Sequence, residues 1–153
     1  MKISDVLNGD LLISELNSKN KKEVLEELVS VIVKKNKKIN KEELTEILIE
    51  REKLGSTGIG DGIAIPHGKL RNIDRLLASF GRSKEGVDFD SMDGKPTHLF
   101  FLLVAPEDSA GIHLTALARI SRLLKDDSFR SHLMEAKSRG DIFRAIIERD
   151  EKF

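Results

Sequence analysis

Residues 51–68 read Arg-Glu-Lys-Leu-Gly-Ser-Thr-Gly-Ile-Gly-Asp-Gly-Ile-Ala-Ile-Pro-His-Gly and set one imidazole, that of His67, on a stiff support. Gly58, Gly60 and Gly62 recur at every second position and free the backbone to fold closely around a bound group. Ile63, Ala64 and Ile65 then make a short extended segment, and Pro66 fixes the chain directly before His67. Imidazole is nucleophilic while neutral, and its ordinary pKa of about 6.5 leaves it largely neutral at cellular pH. It can attack phosphorus directly. The resulting phosphohistidine carries added negative charge that needs a cation and hydrogen-bond donors nearby. Arg51 has the right chemistry, because a guanidinium can hold two phosphoryl oxygens at once. Spacing alone, however, favours a plainer reading of Arg51 as a solvated charge at a helix C-terminus.

Known phosphate cradles do not fit the glycine run. Ile63 falls where the dinucleotide pattern requires its third glycine, and no Gly-Lys-Ser/Thr follows. Taken alone, such a run most simply makes turns. His113 is the second imidazole of interest: it falls in the first turn of a predicted helix after the most apolar strand, where free N–H groups favour anions. It also shares the stripe of Ala116, Leu117 and Ile120, so a half-buried structural histidine is an equal reading. His98 at a strand start and His132 on an exposed helix face read as structural or solvated. A three-histidine zinc site lacks the HExxH spacing and a clustered carboxylate.

Periodicity defines the elements that must hold these groups. Leu25, Leu28, Val29 and Ile32 predict a helix over 21–34, and Asn40 caps a second one that Gly55 ends, with Arg51 in its last turn. Residues 11–16 form a weak strand pattern, 76–83 and 87–89 two strands parted by Gly86, and Leu99–Val104 a strand buried on both faces. A helix follows from near Ser109, then a short one marked by Phe129 and Leu133, and a last one marked by Ile142, Ala145 and Ile146. The alternation predicts an α/β fold, a mixed β-sheet sandwiched between α-helices.

With 153 residues, the chain is expected to form a single domain over 1–153. Lys plus Arg and Asp plus Glu balance at 26 each, which disfavours nucleic acid as a partner. The absence of cysteine removes disulfides and thiolate chemistry and suits a cytoplasmic location. Lys2, Ile3, Ser4 and Asp5 do not begin like a signal peptide, and the longest apolar run, 99–105, is too short to span a bilayer.

The stretch from Arg51 to Leu70 resembles the phosphohistidine motif of enzyme IIA domains of the fructose/mannitol class in the bacterial phosphoenolpyruvate-dependent phosphotransferase system. The nitrogen-regulatory members are the nearest likeness. The lead helices, the Leu99–Val104 strand and Gly111-Ile112-His113-Leu114 fall in the same order, so the resemblance spans nearly the whole chain. It implies a phosphotransferase in which His67 takes a phosphoryl group from HPr, or its nitrogen-branch counterpart, and passes it to an enzyme IIB during sugar uptake. The alternative it implies is a regulatory protein that binds targets according to phosphorylation. His113 would match the second active-site histidine, Arg51 the neighbouring arginine, and Thr57 a hydroxyl supporting the phosphate. No cofactor or metal is required on this reading. Ile59 and Ile63 are candidates for an apolar docking surface, with core packing the stronger expectation for Ile63.

Overall fold

The computed structural model describes residues 1–152. Six strands form one mixed sheet: β1 (Leu12–Ile13), β2 (Gly58–Gly60), β3 (Ile63–Ala64), β4 (His67–Leu70), β5 (Leu77–Val87) and β6 (Thr97–Pro106). Its order is β1-β5-β6-β3-β2, with β4 also paired to β6. The helices are α1 (Lys21–Lys35), α2 (Lys41–Lys53), α3 (Ala110–Leu124), α4 (Asp127–Glu135) and α5 (Arg139–Asp150).

The centre of the sheet is β6, whose residues from Leu99 to Ala105 are all buried, as its unbroken apolar run predicts. It runs antiparallel to β5 and parallel to both β3 and β4. Ile63 lies opposite Leu99 and His67 opposite Leu103, so β3 and β4 follow β6 in one unbroken register. Pro66 interrupts the pairing between them because it has no N–H to give, yet its carbonyl still accepts from Leu103 N at 2.9 Å.

Helices cover both faces. Along β5, Ser79 donates its hydroxyl to Leu28 O of α1 at 2.9 Å, while Arg82 reaches Leu133 O of α4 at 2.8 Å. The two positions have opposite parity, so α1 and α4 lie on opposite sides of the sheet. Packing of α2 against α1 and β4 closes one layer; α3, α4 and α5 form the other. The helix starts carry their own signals: Asn20, Asn40, Asp126 and Ser138 each accept a backbone N–H from the first turn.

Two strand expectations needed revision. Residues 76–83 and 87–89 were predicted as separate strands, but β5 runs through to Val87 with a register shift after Arg82. Gly86, at φ +86°, is the irregular residue inside the strand rather than a break between two. An added Cβ there would meet His98 Cε1 and Pro96 Cβ at 2.8 Å. At the N-terminus the strand is shorter than 11–16: Leu12 and Ile13 pair with β5, Leu11 closes a 3-10 turn from Gly9, and beyond Ile13 the Leu16 N–H donates to Arg82 O at 2.8 Å.

Candidate active site

His67 opens β4 at the edge of the sheet, in a groove of about 650 Å³ between α2 and α3. From α2 come Ile47, Glu50 and Arg51, with Leu54 just past its end, and from α3 Ala110, His113, Leu114 and Leu117. Gly68 lets α2 lie this close: a Cβ there would sit 3.0 Å from Ile47 Cγ2 and 3.4 Å from Leu48 Cδ2. Three distant stretches of chain thus meet at one imidazole.

Nδ1 of His67 lies 2.8 Å from the carbonyl oxygen of Ile65. A carbonyl only accepts, so Nδ1 carries the proton and, in the neutral ring, Nε2 holds the lone pair. His113 stands beside it, the ring centroids 5.4 Å apart and the planes at 76°. His113 is 6% exposed, and its Nε2 finds no hydrogen-bond partner among the described residues. An unmet ring nitrogen at a groove is costly to leave without purpose. Burial pushes both imidazoles below the ordinary histidine pKa, and nearby positive charge adds to it. For His67 that charge is Arg51, opposed by the Ile65 carbonyl and Glu52; for His113 it is His67 and Lys69.

Arg51 is half-buried in the last turn of α2, where its Nη1 donates to Gly55 O at 2.9 Å. No carboxylate pairs with it among the described residues, so much of its fork is uncommitted. At the opposite wall, the N-terminus of α3 carries no side-chain cap. Ser109 turns its hydroxyl back to Pro106 O at 2.8 Å, leaving the first-turn N–H groups without it. Arg51, Lys69 and the positive end of α3 therefore surround the His67 imidazole with groups that favour an anion.

The remaining expectations fall elsewhere. Thr57 is buried, and its hydroxyl donates to the Glu52 carboxylate rather than facing the groove. The glycine run does not wrap the groove either. Gly60, Asp61 and Gly62, at φ +98°, +57° and +77°, turn the chain from β2 into β3. Ile63 is core, at 1% exposed, whereas Ile59 is partly exposed on β2. Nδ1 of His98 donates to Ser83 O at 2.9 Å, and His132 is exposed on α4. Among the described residues no three His, Cys, Asp or Glu converge to hold a metal, and no helix is long and apolar enough to cross a membrane.

Sequence reasoning missed two groove features. Lys69 lies two residues beyond His67 on the same face of β4, which strand alternation would have revealed once β4 was recognised. The exposed apolar rim of Leu54 and Leu114, 85% and 68% exposed, had no signal in sequence apart from its chemistry.

A parallel-and-antiparallel sheet between two helical layers is the fold of the phosphotransferase-system IIA proteins of the mannitol type. The sequence model of the family "Phosphoenolpyruvate-dependent sugar phosphotransferase system, EIIA 2" matches residues 5–149, and the chain belongs to that family. It is 40% identical to the fructose-specific EIIABC component of Bacillus subtilis, over 99% of this chain but 24% of that protein. It therefore spans about a quarter of that relative's length. It is 38% identical to the nitrogen regulatory protein of Bradyrhizobium diazoefficiens, over 95% of each. Among solved structures, nitrogen regulatory protein IIA-Ntr of Neisseria meningitidis superimposes with a TM-score of 0.87 at 32% identity, covering 94% of this chain and 98% of that one. Mannitol IIA of Escherichia coli shares the fold, with a TM-score of 0.76 at 20% identity over 92% of this chain and 98% of that one.

Proposed function

We propose that this protein is a phosphocarrier that accepts a phosphoryl group on Nε2 of His67 and releases it to a second protein. The observation that carries the reading is the bond from His67 Nδ1 to Ile65 O, which commits one nitrogen as donor and leaves the other as nucleophile. The donor is a phosphohistidine on an HPr-like carrier or its nitrogen-branch counterpart. The Nε2 lone pair attacks phosphorus in line as the donor P–N bond breaks, and that electron pair returns to the donor's ring nitrogen. His67 keeps its Nδ1 proton throughout, so the phosphorylated ring is cationic and its phosphoryl oxygens carry the negative charge. Arg51 takes those oxygens with its free fork, and His113 donates from Nε2. The transfer is positioning and charge stabilisation, with no other covalent step.

The exposed rim of Leu54 and Leu114 suits a partner that docks briefly and leaves. For the recipient, the leading reading is an enzyme IIB of a fructose- or mannitol-type uptake system. It is supported by the fructose-specific relative and by a solved complex of Escherichia coli mannitol IIA with phosphorylated mannitol IIB, similar to this chain in fold. A second reading has specific support: nitrogen regulatory relatives match along almost their full length. There the phosphorylated and free forms of His67 would select regulatory targets.

Incubation with phosphoenolpyruvate, enzyme I and an HPr-type carrier, followed by mass spectrometry, tests the common step. Label is expected on His67 and none in His67→Ala; stoichiometric labelling of that variant ends the proposal. A chase with IIB proteins separates the readings: phosphate that leaves supports uptake, and phosphate that stays supports regulation.

A further inference from the structure

The imidazole of His67 stands at the end of a hydrogen-bond chain that starts outside the groove. Glu52 follows Arg51 on α2, but its side chain is only 4% exposed. Its Oε1 accepts from Lys21 Nζ and from the Thr57 N–H, both at 3.1 Å, and its Oε2 accepts from the Thr57 hydroxyl. Thr57 is therefore gripped at two points. Its carbonyl accepts the N–H of Ile65 at 3.1 Å, and the carbonyl of Ile65 accepts from His67 Nδ1 at 2.8 Å.

Pro66 makes this chain stiff. A residue before proline is confined to extended conformations, so fixing the N–H of Ile65 also aims its carbonyl. Glu52 thus reaches His67 through two residues whose freedom is spent. A buried ion pair such as Lys21–Glu52 is weak support for stability, and an apolar pair would fill the same space. What an apolar pair could not do is hold both the N–H and the hydroxyl of Thr57.

Resting on the reading of His67 as phosphoryl acceptor, we propose that Glu52 is a positioning residue: through Thr57 and Ile65 it holds His67 in the Nδ1–H tautomer with Nε2 presented to the groove. The same carboxylate favours the charged ring, partly countering burial and Arg51. That is the direction needed by a ring that becomes cationic on phosphorylation. It also gives Thr57 a role that needs no contact with the phosphate.

The test uses Glu52→Ala, Thr57→Val and Thr57→Ser in the full chain. Ring-nitrogen NMR shifts report the His67 tautomer without any phosphoryl donor, and single-turnover transfer from a phosphorylated HPr-type carrier reports the rate. Glu52→Ala is expected to lose the Nδ1–H signature and to slow transfer by about tenfold or more at saturating carrier, since small misplacements of reacting groups are costly. Half-saturation should stay unchanged, because no rim residue is touched. Thr57→Val should fall between Glu52→Ala and wild type, while Thr57→Ser, which keeps the hydroxyl, restores both readouts. A folded Glu52→Ala protein with the wild-type tautomer and rate overturns the proposal. If Glu52→Ala does not fold, identical shifts and rates in Thr57→Val and Thr57→Ser overturn it instead. Labelling that persists in His67→Ala would sink the phosphocarrier reading by itself, and the tautomer measurement would still decide the part played by Glu52.

Discussion

Arg82 and Arg51 both offer a guanidinium to carbonyls at a helix C-terminus, but the two sites use it differently. Arg82 is 3% exposed, and its Nη1 donates to Leu133 O and Ala136 O at 2.8 and 2.6 Å while Nε donates to Ser14 O at 3.0 Å. The carbonyl end of α4 supplies partial negative charge in place of a carboxylate, so a buried cation is accommodated without a counter-ion. Asp150, at the other end of the chain, is satisfied by an ion pair instead, accepting from Ile3 N at 2.7 Å and from Arg119 Nε at 2.6 Å. Arg51, by contrast, spends one Nη1 on Gly55 O, and His113 Nε2 spends nothing. At Arg82 and Asp150 the polar groups are saturated by the fold itself. The groove keeps donors in reserve, as the proposed transfer to His67 requires.

The contrast is sharpest in stability. Arg82→Met should strand several buried carbonyls and cost about 3 kcal/mol or more, read as a shift in denaturation midpoint, with transfer by the folded fraction unchanged. A small shift would mean that water or packing serves those carbonyls equally well. His113→Ala should reverse the pattern: transfer falls about a hundredfold, as when a preorganised oxyanion donor is removed, with much less loss of stability than Arg82→Met. Equal loss of stability in both variants would make His113 one more saturated structural group. Arg51→Lys should sit lower again, slowing transfer by about tenfold because the charge remains and the fork is lost. Its stability should move by no more than about 0.5 kcal/mol.

How much of this was legible depended on whether the signal was local. The cap at Asn40 was readable and is made, its side chain accepting Glu43 N at 2.9 Å. The two-sided burial of β6 was equally plain in six consecutive apolar residues. Thr57 was a different case, because its partner Glu52 could be known only once the chain after α2 had turned back on the helix. The glycines suggested a cradle, yet their conformational freedom is used in a hairpin that lets Thr57 O meet Ile65 N. The start of α3 near Ser109 was readable, but not that its hydroxyl turns back to Pro106 O and leaves the first turn uncapped. Periodicity could place His113 in the first turn of α3, but only the assembled groove brings it beside His67.

The smallest expected effect is also the one that separates burial from charge. Both groove imidazoles are held below the ordinary histidine pKa, chiefly by burial. The proton is therefore disfavoured in the folded protein, and His67 is less protonated than a free imidazole, which is half protonated at about pH 6.5. Transfer measured at saturating carrier should hold across that region and decline only at lower pH. Arg51 adds to the depression, so Arg51→Met should move the acid limb upward, toward the ordinary value. Removing the opposing carboxylate in Glu52→Gln should move it downward. Opposite movements in these two variants would show that charges in and behind the groove tune a nucleophile whose charged form burial already disfavours. A limb that sits at or above pH 6.5 in the unmodified protein would mean that water reaches His67 freely, and the groove would then differ from the Arg82 site in solvation as well as in saturation.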